Sequence, residues 1–371
     1  MAECFADGTA IIGKPDGTGG SVTAATVAEQ VVYEIGDPGA YLLPDVICDW
    51  RDVNLTQDGP DRVRVSGARG TAPTMTYKVT ATHVEGYRAL TTAMFAGVGA
   101  AGKARRMAEA LIARTERLIA ARELPALDET SIEVVGSGQL MGRSADPAAT
   151  EAVVKIGVHG ADRAAVEVFA AEFASMALVA QGMTGVFAGR PRVAPSIAVY
   201  HLLVSKAAVP VHVSDGTSGT PVTVAAGVTD ARTSTPPLAE PDGPVIAGDT
   251  VRVPALAVAR ARSGDKGDLA NIGIIARRPE FEPLLHDQLT AARIGAFFAH
   301  LEPSGVTRWA LPGLHAINVV LRDILGGTGG TSTLRYDPQG KSYAAMLLSL
   351  PVDVPSSWIA QGWIDEAEAA V

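Results

Sequence analysis

Apolar and polar residues alternate through Thr74-Met75-Thr76-Tyr77-Lys78-Val79-Thr80, and period two predicts a half-exposed strand over Thr74–Thr82. Short apolar runs predict further strands at Arg62–Val65, Ser131–Val135, Val153–Val158 and Ser196–Val204. From Arg88 to about Arg122 the composition favours helix. Leu90, Met94, Val98, Ala101 and Ala108 lie on an apolar face, and Lys103, Arg105 and Arg106 cluster on another. Gly97, Gly99 and Gly102 weaken its start, so the regular helix is expected from nearer Ala101. A second helix is predicted over Asp162–Met176, with Asp162 as N-cap and Val166, Phe169 and Phe173 on one face.

Between Ser214 and Asp249 more than half the residues are Gly, Pro, Ser or Thr. Such a segment buries little apolar surface and is predicted to be an extended linker or long loop. Three regions follow: residues 1–213, a linker at 214–249, and 250–371. In the last, the predicted order is strand, polar loop, strand, helix (Glu280–Ala299), strand, helix (His315–Leu325), glycine loop, then strands at Thr331–Arg335 and Ser342–Leu350. The fold class is α/β or α+β. A larger N-terminal mixed α/β domain is joined by the Gly/Pro/Ser/Thr-rich linker to a small ferredoxin-like α+β domain.

Composition narrows the function classes. At 371 residues and 47% hydrophobic, the chain can fill more than one core. The formal net charge of −9 argues against nucleic acid, which needs a basic face, yet leaves room for a local basic pocket. No run of about 18 apolar residues predicts a membrane span, and the first residues lack the basic flank of a secretory signal. Cys4 and Cys48 are too few for a disulfide framework or a thiolate metal site, so a reducing cytoplasm is expected.

The densest chemistry lies in Ala261-Arg262-Ser263-Gly264-Asp265-Lys266-Gly267-Asp268-Leu269-Ala270-Asn271, between apolar runs Val251–Ala259 and Ile272–Ala276. As a loop between buried strands it offers Lys266 to a phosphate, carboxylate or enolate oxygen. Asp265 or Asp268 is then the orienting group or base, and Asn271 a further hydrogen-bonding group. Ser263, Gly264 and Gly267 would line the site. The alternative is a glycine turn whose charges satisfy one another in water.

A second candidate is Lys14–Ser21, where Gly17, Thr18, Gly19 and Gly20 precede a helix-compatible stretch from Thr23 to Val32. Its backbone N–H groups can meet an anion; a plain turn with Thr23 as N-cap explains it equally. It lacks the Gly-Lys-Ser/Thr ending of a P-loop and is no dinucleotide fingerprint. Asp37, Asp45 and Asp49 suit a metal or a simple turn, and no metal is expected. Arg69 and Arg88 bracket the Thr74–Thr82 strand, about 30 Å apart. Each can take a carboxylate or phosphate, or a surface ion pair. No HExxH or Gly-x-Ser-x-Gly is present. His159 and His315, at element ends, are the histidines to follow. The run Gly326–Ser332 allows close backbone approach, and with Lys266 it would form an anion pocket if the two meet.

Several stretches together resemble the acyclic terpene utilisation AtuA-like family. These are Asp16-Gly17-Thr18-Gly19-Gly20, Tyr33-Glu34-Ile35-Gly36-Asp37-Pro38, Tyr41–Val46, Gly67-Ala68-Arg69-Gly70, Gly86-Tyr87-Arg88 and Phe187-Ala188-Gly189-Arg190-Pro191. Ala261–Gly267, Ala270–Gly273 and Leu311–Ala316 resemble the family's C-terminal ferredoxin-like domain. The resemblance implies degradation of branched terpenoid acids such as citronellate and geranylate through CoA thioesters, alongside a biotin-dependent acyl-CoA carboxylase. It transfers no established catalytic residue. Family members usually carry an N-terminal α/β segment ahead of the residues matching Asp16–Gly20. A partner subunit supplying that segment, or a truncated member, is therefore expected.

The resulting expectation is a cytoplasmic, oligomeric enzyme or enzyme subunit. It acts on a branched acyl-CoA by hydration or C–C lyase chemistry, with no cofactor and no nucleic-acid or membrane partner. A non-catalytic assembly subunit is the alternative, and a metal-dependent lyase using Asp37, Asp45 and Asp49 ranks behind both.

Overall fold

The computed structural model describes residues 1–371 except 144–145, 177–179, 186–188, 242–245, 247, 328–332 and 366–371. Phe187-Ala188 and all but the first two residues of the Gly326–Ser332 run lie outside the described residues. No described helix is long and apolar enough to cross a membrane.

The largest sheet is antiparallel and built on one long strand, Thr76–Ala96, flanked by Glu151–Gly160, which also pairs Glu129–Val135. Ala194–Ser205 runs along the other part of the long strand. The segment Arg88–Ala96, expected as helix, is strand. Its small apolar residues alternate, with Ala89, Ala93 and Phe95 buried towards the helices, and that pairing outweighs local helix propensity. Gly97 and Gly99 turn the chain with φ of 93° and 70°, and the helix begins at Ala100 and runs to Ala121. It shares one face of the sheet with helix Arg163–Met176. Asp162 caps the latter, accepting from the Ala164 N–H at 2.8 Å.

The opposite face of this sheet carries polar rows fixed by register. Arg88, His159 and Glu129 lie side by side, as do Thr92, Lys155 and Glu133. Between them Gly157 leaves room for Leu334, whose side chain a Cβ at 157 would meet at 3.2 Å. Lys155 donates to Glu133 at 3.0 Å and to the Leu334 carbonyl, and Arg88 donates to the Thr333 carbonyl. The C-terminal region thus seats on this face. Thr333–Arg335, expected as part of a strand, lies outside any strand because its carbonyls bind these side chains.

The C-terminal sheet has the order Ala259–Lys266, Leu269–Ala276, Ala316–Arg322, Gly305–Leu311. Ile272, Ile274, Ile317, Val319 and Leu321 face a core with helices Glu282–Gln288, Ala291–Phe297 and Tyr343–Leu347. The other face, through Ile275 and Ala316, packs on Ala28, Val32 and Ile35, at and beyond helix Ala24–Val31. Cover on both faces explains why Ala316–Leu321 is buried throughout, apolar except for Asn318, and why the helix expected at His315–Leu325 is a strand. Within the expected strand Ser342–Leu350, residues Tyr343–Leu347 are helical, and the strand follows at Pro351–Pro355. The expected polar loop is itself strand. Ala259–Lys266 and Leu269–Ala276 form a hairpin around Gly267-Asp268, with Gly267 at φ 69°.

Described residues of the 214–249 segment, expected as a linker or long loop, are tied to the rest of the fold. Thr235 donates its hydroxyl to Asp37 at 2.6 Å, and Trp309 Nε1 donates to the Thr235 carbonyl. Arg308, 1% exposed, donates to the Leu289 carbonyl and to Glu240. Residues Arg232 to Glu240 thus form a strap between residues 37–49 and the C-terminal sheet.

Candidate functional site

Helix Ala24–Val31 begins at Thr23, which forms a capping box with Thr26, and ends against the C-terminal sheet. Two glycines form the seat. A Cβ at Gly273 would lie 2.2 Å from Val32 Cγ2, and one at Gly264 would lie 2.5 Å from Glu34 Cγ. Two asparagines complete it. Asn271 accepts from the Glu34 N–H at 2.8 Å and donates to the Val32 carbonyl at 2.8 Å and to Asn318 Oδ1 at 2.9 Å. Asn318 donates to the carbonyls of Ile35 and Gly36. Backbone groups that would otherwise be buried without partners are thereby satisfied. Tyr33 and Glu34 are held at the edge strand Ala259–Lys266.

There, two cations sit on the Tyr33 ring. Arg262 Cζ is 4.2 Å from its centroid and Lys341 Nζ 4.6 Å. Lys341 also pairs with Glu34 at 2.6 Å and Asp265 at 3.6 Å, and donates to the Tyr33 hydroxyl. Its position comes from Asp337, buried, which accepts from the Lys341 N–H at 2.9 Å and from the Ser342 N–H and hydroxyl. Burial pushes the Glu34 carboxyl up. Hydrogen bonds from Lys341 and Tyr33, with the charges of Lys341 and Lys266, outweigh it and hold Glu34 below its ordinary value. Burial lowers the Lys341 ammonium, but the bonds to Glu34 and Tyr33 win and raise it.

Tyr33, Arg262, Ser263 and Lys341 line a cavity of about 380 Å³, whose remaining wall is Ala261, Ala344, Ala345 and Leu348. Ser263 accepts from the Ala344 N–H at 3.0 Å, pinning that wall to the strand. Among the described residues the Arg262 guanidinium has no hydrogen-bond or ion-pair partner, only the stacking on Tyr33. A guanidinium with its donors free, beside an alanine and leucine wall, suits an anion attached to a hydrocarbon.

The residues named from sequence divide. Ser263, Gly264, Asp265 and Asn271 gather around Tyr33 and Glu34, as described. Lys266 lies exposed at the hairpin end, near enough for its charge to act on Glu34. Asp268 accepts from the Leu325 N–H at 3.0 Å, while its carbonyl accepts from Ile324. Burial pushes its carboxyl up. The Gly327 N–H also bonds Asp268, so the start of the glycine run does meet the hairpin, at Asp268.

The turn Gly17, Thr18, Gly19 and Gly20 lies elsewhere. It precedes a helix of 8 residues whose far end leads to Tyr33, a separation of about 12 Å along the axis. Lys14 donates to the Thr18 carbonyl at 2.6 Å and pairs with Asp61. Arg69 pairs with Asp52 at 3.4 Å on the surface. Asp49 is held by Arg51 and Arg232, and Asp37 by Thr235 and Gly39. No group of three or more His, Cys, Asp or Glu among the described residues is placed to hold a metal ion. His159 faces Asp128 at 3.6 Å, and His315 bonds Glu282 at 2.7 Å.

Sequence reasoning missed Arg262 and Lys341 as site residues. Once the run is paired as strand, Arg262 falls on the same side as Gly264, the side that meets Tyr33; that alternation was the available signal. Lys341 is fixed locally by Asp337, but its role comes from long-range contacts to Tyr33 and Glu34 that no nearby pattern signals.

The α+β architecture with a ferredoxin-like C-terminal domain defines the class. Residues 1–214 match the acyclic terpene utilisation family protein AtuA, and residues 253–353 match the AtuA ferredoxin-like domain. The chain belongs to this acyclic terpene utilisation family. No curated protein and no solved structure matches it.

Proposed function

We propose that the Tyr33–Arg262–Lys341 pocket binds the acyl end of a branched terpenoid acid, taken as its CoA thioester in the cytoplasm. The carrying observation is Arg262, stacked 4.2 Å over Tyr33 without an anionic partner among the described residues and bordered by an aliphatic wall. Arg262 takes the carboxylate or carbonyl oxygen. Ala344, Ala345 and Leu348 take the hydrocarbon branch. Lys266, at the exposed hairpin end, draws in the anionic carrier.

The reaction class is hydration or C–C cleavage next to the thioester. Both pass through an enolate, which Arg262 and Lys341 stabilise by charge. Glu34 and Asp265, held beside Lys341, are the carboxylates within reach of a proton there. Family membership supports terpenoid chemistry, and the pocket supports an amphiphilic anion.

A thermal-shift series tests the reading, using branched and straight acyl-CoA esters, the free branched acids, and CoA alone. A ligand that binds only the folded state raises its stability by about 2.7 kcal/mol at a hundredfold excess over Kd. Stabilisation by branched acyl compounds and not by CoA alone is expected. Equal shifts from CoA alone would place recognition outside this pocket.

A further inference from the structure

Helices Ala100–Ala121 and Arg163–Met176 cover the face of the main sheet that carries Ala89, Ala93 and Phe95, and both helices line a cavity of about 360 Å³. That volume falls within the range of small-molecule sites, about 300–1,000 Å³. The C-terminal region seats on the other face of this sheet, through Arg88 and Lys155. The cavity shares no residue with the pocket beside Tyr33.

Helical spacing builds one wall. Lys103, Arg106, Met107 and Ala110 fall on one side of the first helix, since positions three and four apart are neighbours. Met107 is buried in one cluster with Phe95, from the long strand, and Met176, the last residue of the second helix. All three line the cavity. Methionine is unbranched and polarizable, so two of them make a wall that adjusts to a flexible hydrocarbon.

The charges beside that wall are unmatched. Arg105, on another side of the helix, bonds Gln139 at 3.1 Å and pairs with Glu109 at 4.0 Å, and Arg114 pairs with Glu172. The Lys103 ammonium and the Arg106 guanidinium have no hydrogen-bond or ion-pair partner among the described residues, although the chain carries −9 overall. No Asp or Glu is among the described residues that line the cavity. Two like charges one helical turn apart repel, and an anion between them removes the repulsion. We propose that this cavity binds an amphiphilic anion, a single hydrocarbon chain ending in a carboxylate or phosphate. Arg106 gives the head a fork of donors and Lys103 a point charge, while the chain lies along Phe95, Met107 and Met176. A wholly polar ligand leaves the apolar wall wet, and an uncharged hydrocarbon leaves both cations unmatched. The site does not depend on the reading given for the Tyr33 pocket.

NMR of the whole chain, isotopically labelled at its methionine methyls, reads the site locally. Decanoate and decyl phosphate, each below its micelle concentration, should shift the Met107 and Met176 signals saturably, with Met107→Leu and Met176→Leu assigning them. Lys103→Gln combined with Arg106→Gln should weaken that binding by about tenfold or more, because charge-assisted bonds are lost, while Lys103→Arg should keep it. Decanol and inorganic phosphate, carrying tail or head alone, should each bind more weakly than decyl phosphate by a similar factor. Arg262→Ala, which disables the other pocket, should leave these shifts unchanged, so the two sites stand or fail separately. Unmoved Met107 and Met176 signals overturn the proposal, including where the chain instead floats with phosphatidylglycerol vesicles and takes its anion from a lipid headgroup. So does an affinity unchanged in the double Gln variant, or decanol binding as tightly as decanoate.

Discussion

Asn271 and Asn318, on neighbouring strands of the C-terminal sheet, hold each other at 2.9 Å and together grip residues Val32 to Gly36. Through this pair, a segment more than two hundred residues upstream supplies Tyr33 and Glu34 to the pocket. The candidate site therefore depends on a contact that neither matched region makes alone.

Replacing Asn318 by Leu should destabilise the chain by about 2–4 kcal/mol, since it strands the Ile35 and Gly36 carbonyls and one side of Asn271. Urea unfolding measures this. A loss under about 0.5 kcal/mol would mean that water replaces the amide without cost.

Gly273→Ala should cost about 1–3 kcal/mol and displace Tyr33, because the new methyl meets Val32 Cγ2 at 2.2 Å and the Val32 carbonyl at 2.9 Å. Gly17→Ala makes a useful contrast. Its Cβ meets nothing within 4 Å, so only the strain of φ 71° applies, and the pocket should be unaffected. Ligand-induced thermal shifts of the two variants separate these outcomes.

Glu34 gives a pH signature. Its folded carboxyl is held below the ordinary value of 4.5, so the folded state binds its proton less readily than the unfolded chain. Its contribution to stability is present above about pH 4.5 and is lost as pH falls through the folded value. The Tm of wild type should exceed that of Glu34→Gln at neutral pH, with the gap closing in acid. A gap independent of pH would contradict the Lys341 pairing.

Asp268 should behave in the opposite sense. Burial raises its carboxyl above 3.8, opposed by N–H bonds from Leu325 and Gly327, so the fold favours the protonated form. Stability from this group is present below pH 3.8 and lost as pH rises through the folded value. Asp268→Asn keeps an acceptor for Leu325 without a charge. It should match or exceed the wild-type Tm at neutral pH, with the difference vanishing in acid; a fall of Tm at neutral pH would contradict this.

Ser131–Val135 and Val153–Val158 are legible from sequence, because their β-branched residues come in short runs bounded by glycine and polar residues. The helix from Ala100 and the Asp162 and Thr23 caps are legible for local reasons too. Ala316–Arg322 is not, because cover on both faces erases the alternation that marks a strand. Arg88–Ala96 misleads because its alanines and leucine suit a helix, while pairing with Glu151–Gly160 decides otherwise. At the pocket, the polar run from Ser263 to Asn271 is visible in sequence. Its partners Tyr33 and Lys341 meet it through long-range hydrogen bonds that no local pattern encodes.

Titration calorimetry of a branched acyl-CoA into wild type and Arg262→Ala tests the central claim most directly. A charge-assisted bidentate contact is worth about 1.5–3 kcal/mol, so Arg262→Ala should weaken binding roughly 10- to 100-fold. Leu348→Ala should weaken the branched ester more than a straight-chain one. Equal affinity in wild type and Arg262→Ala would show that the pocket beside Tyr33 is not where the acyl group binds.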